Sequence, residues 1–349
     1  MTTRYRCTLL RAGTFRLDAG NMFGLIPRVV WSRVVTPDER NRVTLQHNCL
    51  LLERADEPST SDLISAPTSG AERAGRTGVA AMPAPKLVLL ETGTGDKLDE
   101  ASRELFAMEA RSVLTALDEV GCDPGAIGAV VCSHLHFDHA GSLTRLVRPG
   151  ERADWTGPAS SFAASRAEHG VKLSFPGASL ITQRREWDDA LANRSVMTRT
   201  YFADHLLPMR ERMSELVRLI ESPPPFGPGT TPDRGAAPLP QHARETEVMP
   251  GVFVFRVPGH TWGQQATRFT DDRGRSVVFV PDVMPTAWHV GQAYSLGYDV
   301  EPYTSMISRT WLLAEACEHG WVLMLNHEPG HPFFTVRKNG KGWYELEKA

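Results

Sequence analysis

The chain has 349 residues, enough for one large domain or two ordinary ones whose core needs no disulfide or structural metal. Lysine and arginine total 38 against 41 acidic residues, and the formal charge of -3 excludes a general attraction for nucleic acid or anionic lipid. The 5 cysteines are odd in number and never spaced as Cys-x-x-Cys, which indicates a reducing compartment and excludes a thiolate metal site.

The first residues lack the apolar core of a signal peptide, and no apolar run approaches the roughly 18 residues that a membrane span needs. We therefore expect a cytoplasmic protein that acts on a small neutral or weakly charged molecule, with no nucleic-acid and no membrane partner. A homodimer is compatible with the sequence.

Apolar runs of strand length recur along the chain, and they cover 25–31, 44–53, 86–91, 126–133, 252–257, 265–270, 276–281 and 321–326. Helices are predicted over 103–120 and 305–319, because apolar residues recur on one helical face, and Gly121 and Gly320 mark their ends. Asn339-Gly340 predicts a hairpin near the C-terminus. The elements alternate as in an α/β protein.

Two segments interrupt this pattern within what we expect to be a single domain over 1–349. Residues 54–85 are rich in Ala, Ser, Thr, Gly and Pro and predict a flexible insertion between two strands. Residues 155–245 predict a helical and proline-rich insert over the core, with a helix over 198–220.

A dense histidine cluster follows the apolar stretch 126–132. It contains His134, His136, Asp138 and His139. In an extended chain, the first three would share one side and His139 would point elsewhere, so that the cluster can serve two adjacent metal ions. This spacing predicts a metal site at the end of a buried strand.

Three later strand ends supply the remaining candidate ligands. His260 follows the run 252–256 and offers a third imidazole to the first ion. Asp282 ends the next apolar strand, where a carboxylate is costly unless it is paired or bound to metal, and we assign it as the bridging ligand. His327 completes the second set, with His331 as its competitor.

Two ions about 3.5 to 4 Å apart can share a hydroxide and polarise a carbonyl or phosphoryl oxygen, which is the machinery of hydrolysis. Nitrogen and oxygen ligands suit two divalent cations, with Zn²⁺ as the default and cobalt, manganese or iron also acceptable.

The whole set of motifs resembles the metallo-β-lactamase superfamily in identity and order, from about residue 40 to 335: His134-x-His136-x-Asp138-His139, Pro258-Gly259-His260-Thr261, Asp282 and His327. The resemblance implies an α+β fold, a four-layer αββα sandwich with the metals at one edge of two packed sheets. With its bridging aspartate and without a cysteine ligand, the chain is similar to quorum-quenching N-acyl homoserine lactonases and phosphotriesterase-like enzymes. The stretches 22–27, 38–42 and 282–289 look most similar to YtnP-type lactonases.

Three positions depart from the family pattern. Glu91 stands where the family has an aspartate that orients a histidine ligand, and it is longer by one methylene. Gln264 and Pro285 replace a histidine and a catalytic tyrosine that some lactonases carry. His289 lies close in sequence to Asp282, and we expect it to contact the substrate instead.

An apolar wall for an acyl chain or aromatic leaving group is predicted from five side chains, Met22, Phe23, Trp262, Trp288 and Tyr298. The glycine-flanked setting of Phe23 indicates an exposed loop tip.

The leading hypothesis is a dinuclear hydrolase that opens lactone rings, N-acyl homoserine lactones above all, by attack of a metal-bridging hydroxide. Asp138 would assist proton transfer to the leaving alkoxide, and His289 would assist catalysis. The alternatives are a phosphotriester or aryl ester hydrolase on the same ions, and a metal-bound ligand carrier without activity.

Overall fold

The computed structural model describes residues 3–55, 85–159, 168–196, 200–211, 213–226 and 238–349. The flexible insertion predicted at 54–85 lies outside these ranges except at its two ends, and it stays a prediction.

Two large sheets and one small sheet form the β structure. The first sheet contains, in spatial order, β1 (Tyr5–Asp18), β2 (Arg42–Arg54), β3 (Leu87–Leu90), β4 (Ala129–Val131), β8 (Ser179–Gln183) and β9 (Val217–Ile220). The second contains β10 (Thr246–Met249), β11 (Val252–Arg256), β12 (Gln265–Thr270), β13 (Ser276–Val280), β14 (Val322–Leu325), β15 (Phe333–Lys338) and β16 (Tyr344–Lys348). The small sheet contains β5 (Thr144–Leu146), β7 (Glu168–Leu173) and β6 (Trp155–Pro158).

The α-helices of the described residues are α1 (Ala19–Phe23), α2 (Arg28–Trp31), α3 (Glu100–Leu105), α4 (Val113–Glu119), α5 (Phe137–Ala140), α6 (Arg184–Leu191), α7 (Ala203–Glu211), α8 (Met213–Leu216), α9 (Gln241–Arg244) and α10 (Pro302–His319). Short 3-10 helices occupy Pro124–Ala126, Gly141–Leu143 and Ala287–Val290. Within the described ranges, every helix is too short or too polar to cross a bilayer.

The two large sheets pack face to face, and helices cover their outer faces. Successive residues of a strand point to opposite sides, so Leu50 and Leu52 of β2 lie between the sheets while Leu51 lies in the outer core. Val113 of α4 belongs to that outer core, and Leu312 of α10 packs on the outer face of the second sheet. The result is the predicted four-layer αββα arrangement.

Most predicted strands and the second predicted helix are confirmed, but two predictions in the N-terminal third are wrong. The run 25–31 contains α2 instead of a strand, and Leu25 and Val29 are 74% and 72% exposed. The helix predicted over 103–120 is two helices, because the chain between α3 and α4 bonds to β1. There the Arg16 N–H donates to the Phe106 carbonyl at 2.7 Å.

The insert predicted at 155–245 is only partly helical. Strands β8 and β9 extend the first sheet beside β4, and both pairings are parallel. The helix predicted over 198–220 is therefore wrong at its end, since residues 217–220 pair with β8 as strand β9. Strand β1, 14 residues long, was missed because its alternation is irregular.

Chain direction brings the chemistry to one edge of the sandwich. β3 and β4 run parallel, as do β13 and β14, so the residues that follow these four strands emerge at corresponding ends. The sheets are tied together there: the Gln265 N–H donates to the Ser133 carbonyl at 2.9 Å, and the Asn48 N–H donates to the Asn326 carbonyl at 2.8 Å.

Candidate metal centre

Three imidazoles converge at the end of β4. The His136 Nδ1 atom lies 3.1 Å from Nε2 of His134 and 3.0 Å from Nε2 of His260. All three residues are buried. Their ligand atoms lie within 4.8 Å of one another, so one ion could accept all three nitrogens.

A second group lies beside the first and contains Asp138, His139 and His327. The two Nε2 atoms of this group are 3.2 Å apart, and the Asp138 Oδ2 atom lies 3.8 Å from His139 and 3.6 Å from His327. These three ligand atoms also lie within 4.8 Å of one another.

Asp282 stands between the two groups. Its Oδ1 atom lies 3.5 Å from Nε2 of His139 and 3.3 Å from Nε2 of His327. Its Oδ2 atom lies 3.4 Å from Nε2 of His260. One carboxylate oxygen therefore faces each group, which is the geometry that a bridging ligand needs.

Local backbone structure separates the two ligand sets. The chain is extended through His136 and then turns into α5, so Asp138 joins His139 in the second group. The predicted sharing of one side by His134, His136 and Asp138 is corrected by this helical turn. The turn also needs Gly141 close behind it, because a Cβ there would lie 2.0 Å from the Thr94 carbonyl oxygen.

Hydrogen bonds to the outer ring nitrogens orient most of these imidazoles. The Nδ1–H groups of the second-group histidines donate to Glu91 Oε2 at 3.1 Å, from His139, and to the Gln46 carbonyl at 3.0 Å, from His327. In the first group, the His260 Nδ1–H donates to Asp299 Oδ1 at 3.0 Å. Each bond leaves the Nε2 lone pair directed into the cluster, as metal ligation requires.

His136 is the exception. It presents Nδ1 to the cluster, and its buried Nε2 has no hydrogen-bond partner among the described residues. Its ring packs instead against Tyr201, with ring centroids 4.9 Å apart.

The electrostatics fit cations. Burial lowers the pKa values of His134 and His136 well below the usual histidine range, which keeps both rings neutral. Burial opposes ionisation of Asp282, but the surrounding imidazoles hold the pKa of its carboxyl well below the usual range. Imidazole nitrogens 3.0 to 3.2 Å apart cannot all be paired by single protons, whereas divalent cations would satisfy them.

Three functional residues were missed by sequence reasoning. Asp299 orients His260 from 39 residues away, and Asn326 donates through Nδ2 to Asp282 Oδ1 at 2.6 Å. Glu186 is fully buried and bonds to both loops that carry the first group. The position of Asn326, directly after an apolar strand, was a usable signal, but nothing local marks the other two.

A cavity of about 200 Å³ opens on the centre. Its lining includes five candidate ligands, His136, Asp138, His260, Asp282 and His327. Most of the remaining lining is apolar, and this apolar wall consists of Leu17, Met22, Leu105, Phe106, Phe137, Leu296 and the ring of Tyr298. The remaining lining residues, Asn21, Ser195 and Thr200, are polar.

Of the predicted pocket residues, the structure places Met22 and Tyr298 on the cavity wall. Phe23 is not at an exposed loop tip: it is fully buried and stacks on Trp31, with ring centroids 5.2 Å apart. Trp288 packs against the same cluster as Phe23, and neither Trp288 nor Trp262 lines the cavity.

The predicted substrate contact of His289 is corrected by its surroundings. The His289 Nε2–H donates to the Met22 carbonyl at 2.7 Å, and Nδ1 accepts from the Thr286 hydroxyl at 2.8 Å. Burial lowers the pKa of His289 to about 4, so the ring is neutral and both nitrogens are used. His289 therefore holds the Met22 segment in place instead of facing the cavity.

The remaining sequence candidates lie apart from the cavity. His331 is exposed and joins neither ligand group, which leaves His327 in the second. Gln264 is buried and donates to the Val257 carbonyl at 3.1 Å. Pro285 offers only its carbonyl, which accepts from the His327 N–H at 3.0 Å. Glu91 takes the orienting role expected of the family's aspartate.

Comparisons with known proteins bear on the fold. Residues 86–287 match the family model described as the metallo-beta-lactamase superfamily. No curated protein sequence matches the chain significantly.

Solved structures match over nearly the whole chain at low identity. A "probable metal-dependent hydrolase" from Staphylococcus aureus is 19% identical, covers 100% of this chain and 99% of its own, and gives a TM-score of 0.69. AidC, described as a dizinc quorum-quenching lactonase, is 15% identical over 99% of this chain and 98% of its own, with a TM-score of 0.61. A quorum-quenching N-acyl homoserine lactone lactonase is 20% identical over 94% of each chain, with a TM-score of 0.55. At these identities the likeness concerns the fold.

Proposed function

The chain belongs to the metallo-β-lactamase superfamily and is a metal-dependent hydrolase, and from this premise we propose that it uses two metal ions to open lactone rings. N-acyl homoserine lactones are the proposed substrates, with quorum quenching as the biological outcome. Zinc is the proposed metal.

One observation carries the proposal: a single cavity joins both ligand groups to an apolar wall. A small ester or lactone head fits beside the ligands, while Met22, Phe106 and Leu296 offer an apolar surface to an acyl chain. The relatives described as lactonases support this choice of substrate through their fold alone.

When bound, two ions lower the pKa of a shared water and polarise a carbonyl oxygen. The chain's own residues do the rest. Asp282 faces both ligand groups and fixes their relative position. Glu91 fixes the ring orientation of His139, and Asp299 fixes that of His260. The apolar wall would exclude bulk water from the scissile bond of a bound substrate.

Asp138 is the residue that we propose for proton transfer. It lines the cavity, is 8% exposed, and presents a carboxylate oxygen 3.6 Å from the His327 ring. A carboxylate in this place can take a proton from the attacking water and return it to the leaving alkoxide.

Tyr298 contributes a second polar atom to the same wall. Burial raises the pKa of its phenol to about 12, so the hydroxyl remains a hydrogen-bond donor at neutral pH. Its position on the cavity wall suits a contact with a polar atom of the substrate.

The deciding experiment measures turnover of N-hexanoyl and N-decanoyl homoserine lactones by zinc- and cobalt-loaded protein, with an aryl ester and a phosphotriester alongside. We expect the lactones to have the highest kcat/KM. Asp138→Asn should lose several orders of magnitude with the fold retained, while His331→Ala, a surface histidine control, should match wild type.

Turnover of only the phosphotriester or the aryl ester would overturn the substrate assignment and leave the metal centre standing. The same ligands and the same apolar wall would then serve an aromatic leaving group. An absence of turnover on all four substrates, with two ions bound, would favour a ligand carrier.

A further inference from the structure

We propose that Glu186 is a positioning residue that clamps the three imidazoles of the first ligand group and sets the metal affinity of that group. The inference rests on the proposed two-metal centre. Glu186 lies in the first turn of α6. It is far from every proposed ligand in the sequence, and only the fold brings it close to them.

The side chain of Glu186 joins both loops that carry the first group. Its Oε1 atom accepts from the Leu135 N–H at 2.9 Å, and Leu135 stands between His134 and His136. Its Oε2 atom accepts from the Thr261 hydroxyl at 2.5 Å, and Thr261 follows His260 directly. One carboxylate therefore fixes the distance between the two loops.

A third bond reaches the imidazole that lacks any outer hydrogen bond. The Tyr201 hydroxyl donates to Glu186 Oε1 at 3.1 Å, and the Tyr201 ring packs on His136. Because His136 Nε2 has no partner in the described ranges, the orientation of this ring depends on packing. Glu186 supplies the anchor for the residue that does the packing.

The backbone of Glu186 is also in contact with the His260 loop. A Cβ on Gly263 would lie 2.2 Å from the Glu186 nitrogen, so only glycine allows α6 to come this close. The loop is thus held from the side-chain and main-chain atoms of the same residue.

A purely structural role would not offset the free-energy cost of burying the Glu186 carboxylate. Glu186 is 0% exposed, and the contacts described for it are with neutral donors and not with a lysine or arginine. An isolated buried carboxylate is unfavourable unless hydrogen bonds and nearby positive charge compensate it. Cations held by the adjacent imidazoles would supply that charge.

The test measures the affinities of the two zinc-binding steps by competition with a chromogenic chelator. The number of bound ions, the visible spectrum of the cobalt form and the melting temperature are measured alongside. The variants are Glu186→Ala and Glu186→Gln. Asp189→Ala is the matched control, since Asp189 is equally buried in the same helix but pairs with Arg185 and Arg194. Asp138→Asn marks the binding step that belongs to the second group.

We expect Glu186→Ala to weaken one binding step by about 10 to 100-fold and to alter the cobalt spectrum. The step affected should be the one that Asp138→Asn leaves unchanged. Glu186→Gln should restore most of the affinity, because its amide keeps an oxygen for Leu135 and Tyr201 and can donate to the Thr261 hydroxyl. Asp189→Ala should lower the melting temperature without changing either step.

Glu186→Ala with both zinc affinities and the cobalt spectrum unchanged would overturn the inference, even if the melting temperature fell. If Glu186→Ala does not fold, Thr261→Val and Tyr201→Phe each remove one donor, and wild-type affinities in both would overturn it equally. A wild-type protein that binds fewer than two ions would instead contradict the two-metal centre itself.

Discussion

The carboxylate of Asp299 accepts a hydrogen bond from Nδ1 of His260 at 3.0 Å, although 39 residues separate the two in the chain. The second oxygen of Asp299 accepts from the Leu296 N–H at 3.0 Å, so both the carboxylate and the ring are held in one orientation. The bond leaves Nε2 of His260 free to face His136 and Asp282. This pairing makes the first ligand group ready for a cation before one binds.

Replacing Asp299 with alanine should weaken metal binding in the first group by about 10 to 100-fold, because His260 can then rotate and change tautomer. The measurement is zinc affinity by chelator competition. Asp271→Ala is the control, since Asp271 is also buried but pairs with Arg275 at the far end of β12. Equal affinity in wild type and Asp299→Ala would contradict the prediction.

Glu91→Asp should weaken the second group by about tenfold, even though aspartate is the residue expected from the family pattern. Glu91 spans two donors, the Ser133 N–H at 2.6 Å and His139 Nδ1–H at 3.1 Å, and a side chain one methylene shorter cannot reach both from the same backbone. Metal titration tests this. Glu109→Asp, which shortens an acid bonded to Thr14 instead, should behave as wild type.

Removing the metals should lower the melting temperature by about 5 to 10 °C. Ligands that bind only the folded protein stabilise it by about 2.7 kcal/mol at one hundred times their Kd, and each kcal/mol shifts the transition by about 2 to 4 °C in a large domain. Differential scanning calorimetry before and after chelation measures the change. Zinc or cobalt should restore the transition and magnesium should not, because imidazole ligands favour the former. A transition unaffected by chelation would speak against the centre.

Stability should fall as the pH drops from about 6.5 towards 4, partly because of His289. Burial lowers its pKa to about 4 in the folded protein, so below about 6.5 the unfolded chain takes up a proton that the folded chain does not. This contribution is complete above pH 6.5 and should cost about 2 to 3 kcal/mol by pH 4.5. Urea unfolding at about pH 6.5 and about pH 4.5 should show a smaller loss of unfolding free energy in His289→Gln than in wild type. His331→Gln should keep the wild-type slope.

Phe106→Ala should raise KM for N-decanoyl homoserine lactone about tenfold more than KM for the N-hexanoyl substrate. Phe106 lies on the apolar wall and packs against Phe137, with ring centroids 5.7 Å apart, so its removal takes away surface that a long acyl chain would cover. Val34→Ala, which trims an exposed side chain outside the wall, should leave the ratio unchanged. If Phe106→Ala left the ratio of the two KM values unchanged, the acyl chain would have to bind outside this apolar wall.

Local sequence patterns were sufficient to predict most strands of the second sheet and helix α10. The runs at 265–270 and 276–281 are strands because their apolar residues are buried on both faces of a packed sheet. The run at 25–31 has a similar composition but became a helix with exposed valines, and composition alone cannot distinguish an apolar run that is buried from one that is not. Residues 106–112 bond to β1, which no helical periodicity anticipates.

The sequence by itself determined which side chains would meet at the centre, because His134, His260, Asp282 and His327 each follow an apolar strand. Strand order and direction then bring those ends to one edge. Tertiary structure alone decided how the side chains are held and what surrounds them. Asp299 and Glu186 reach their partners across loops distant in sequence, and the burial of His289 depends on a contact with the Met22 carbonyl. Hydrogen bonds of this kind depend on distances set by packing, and sequence spacing carries no record of them.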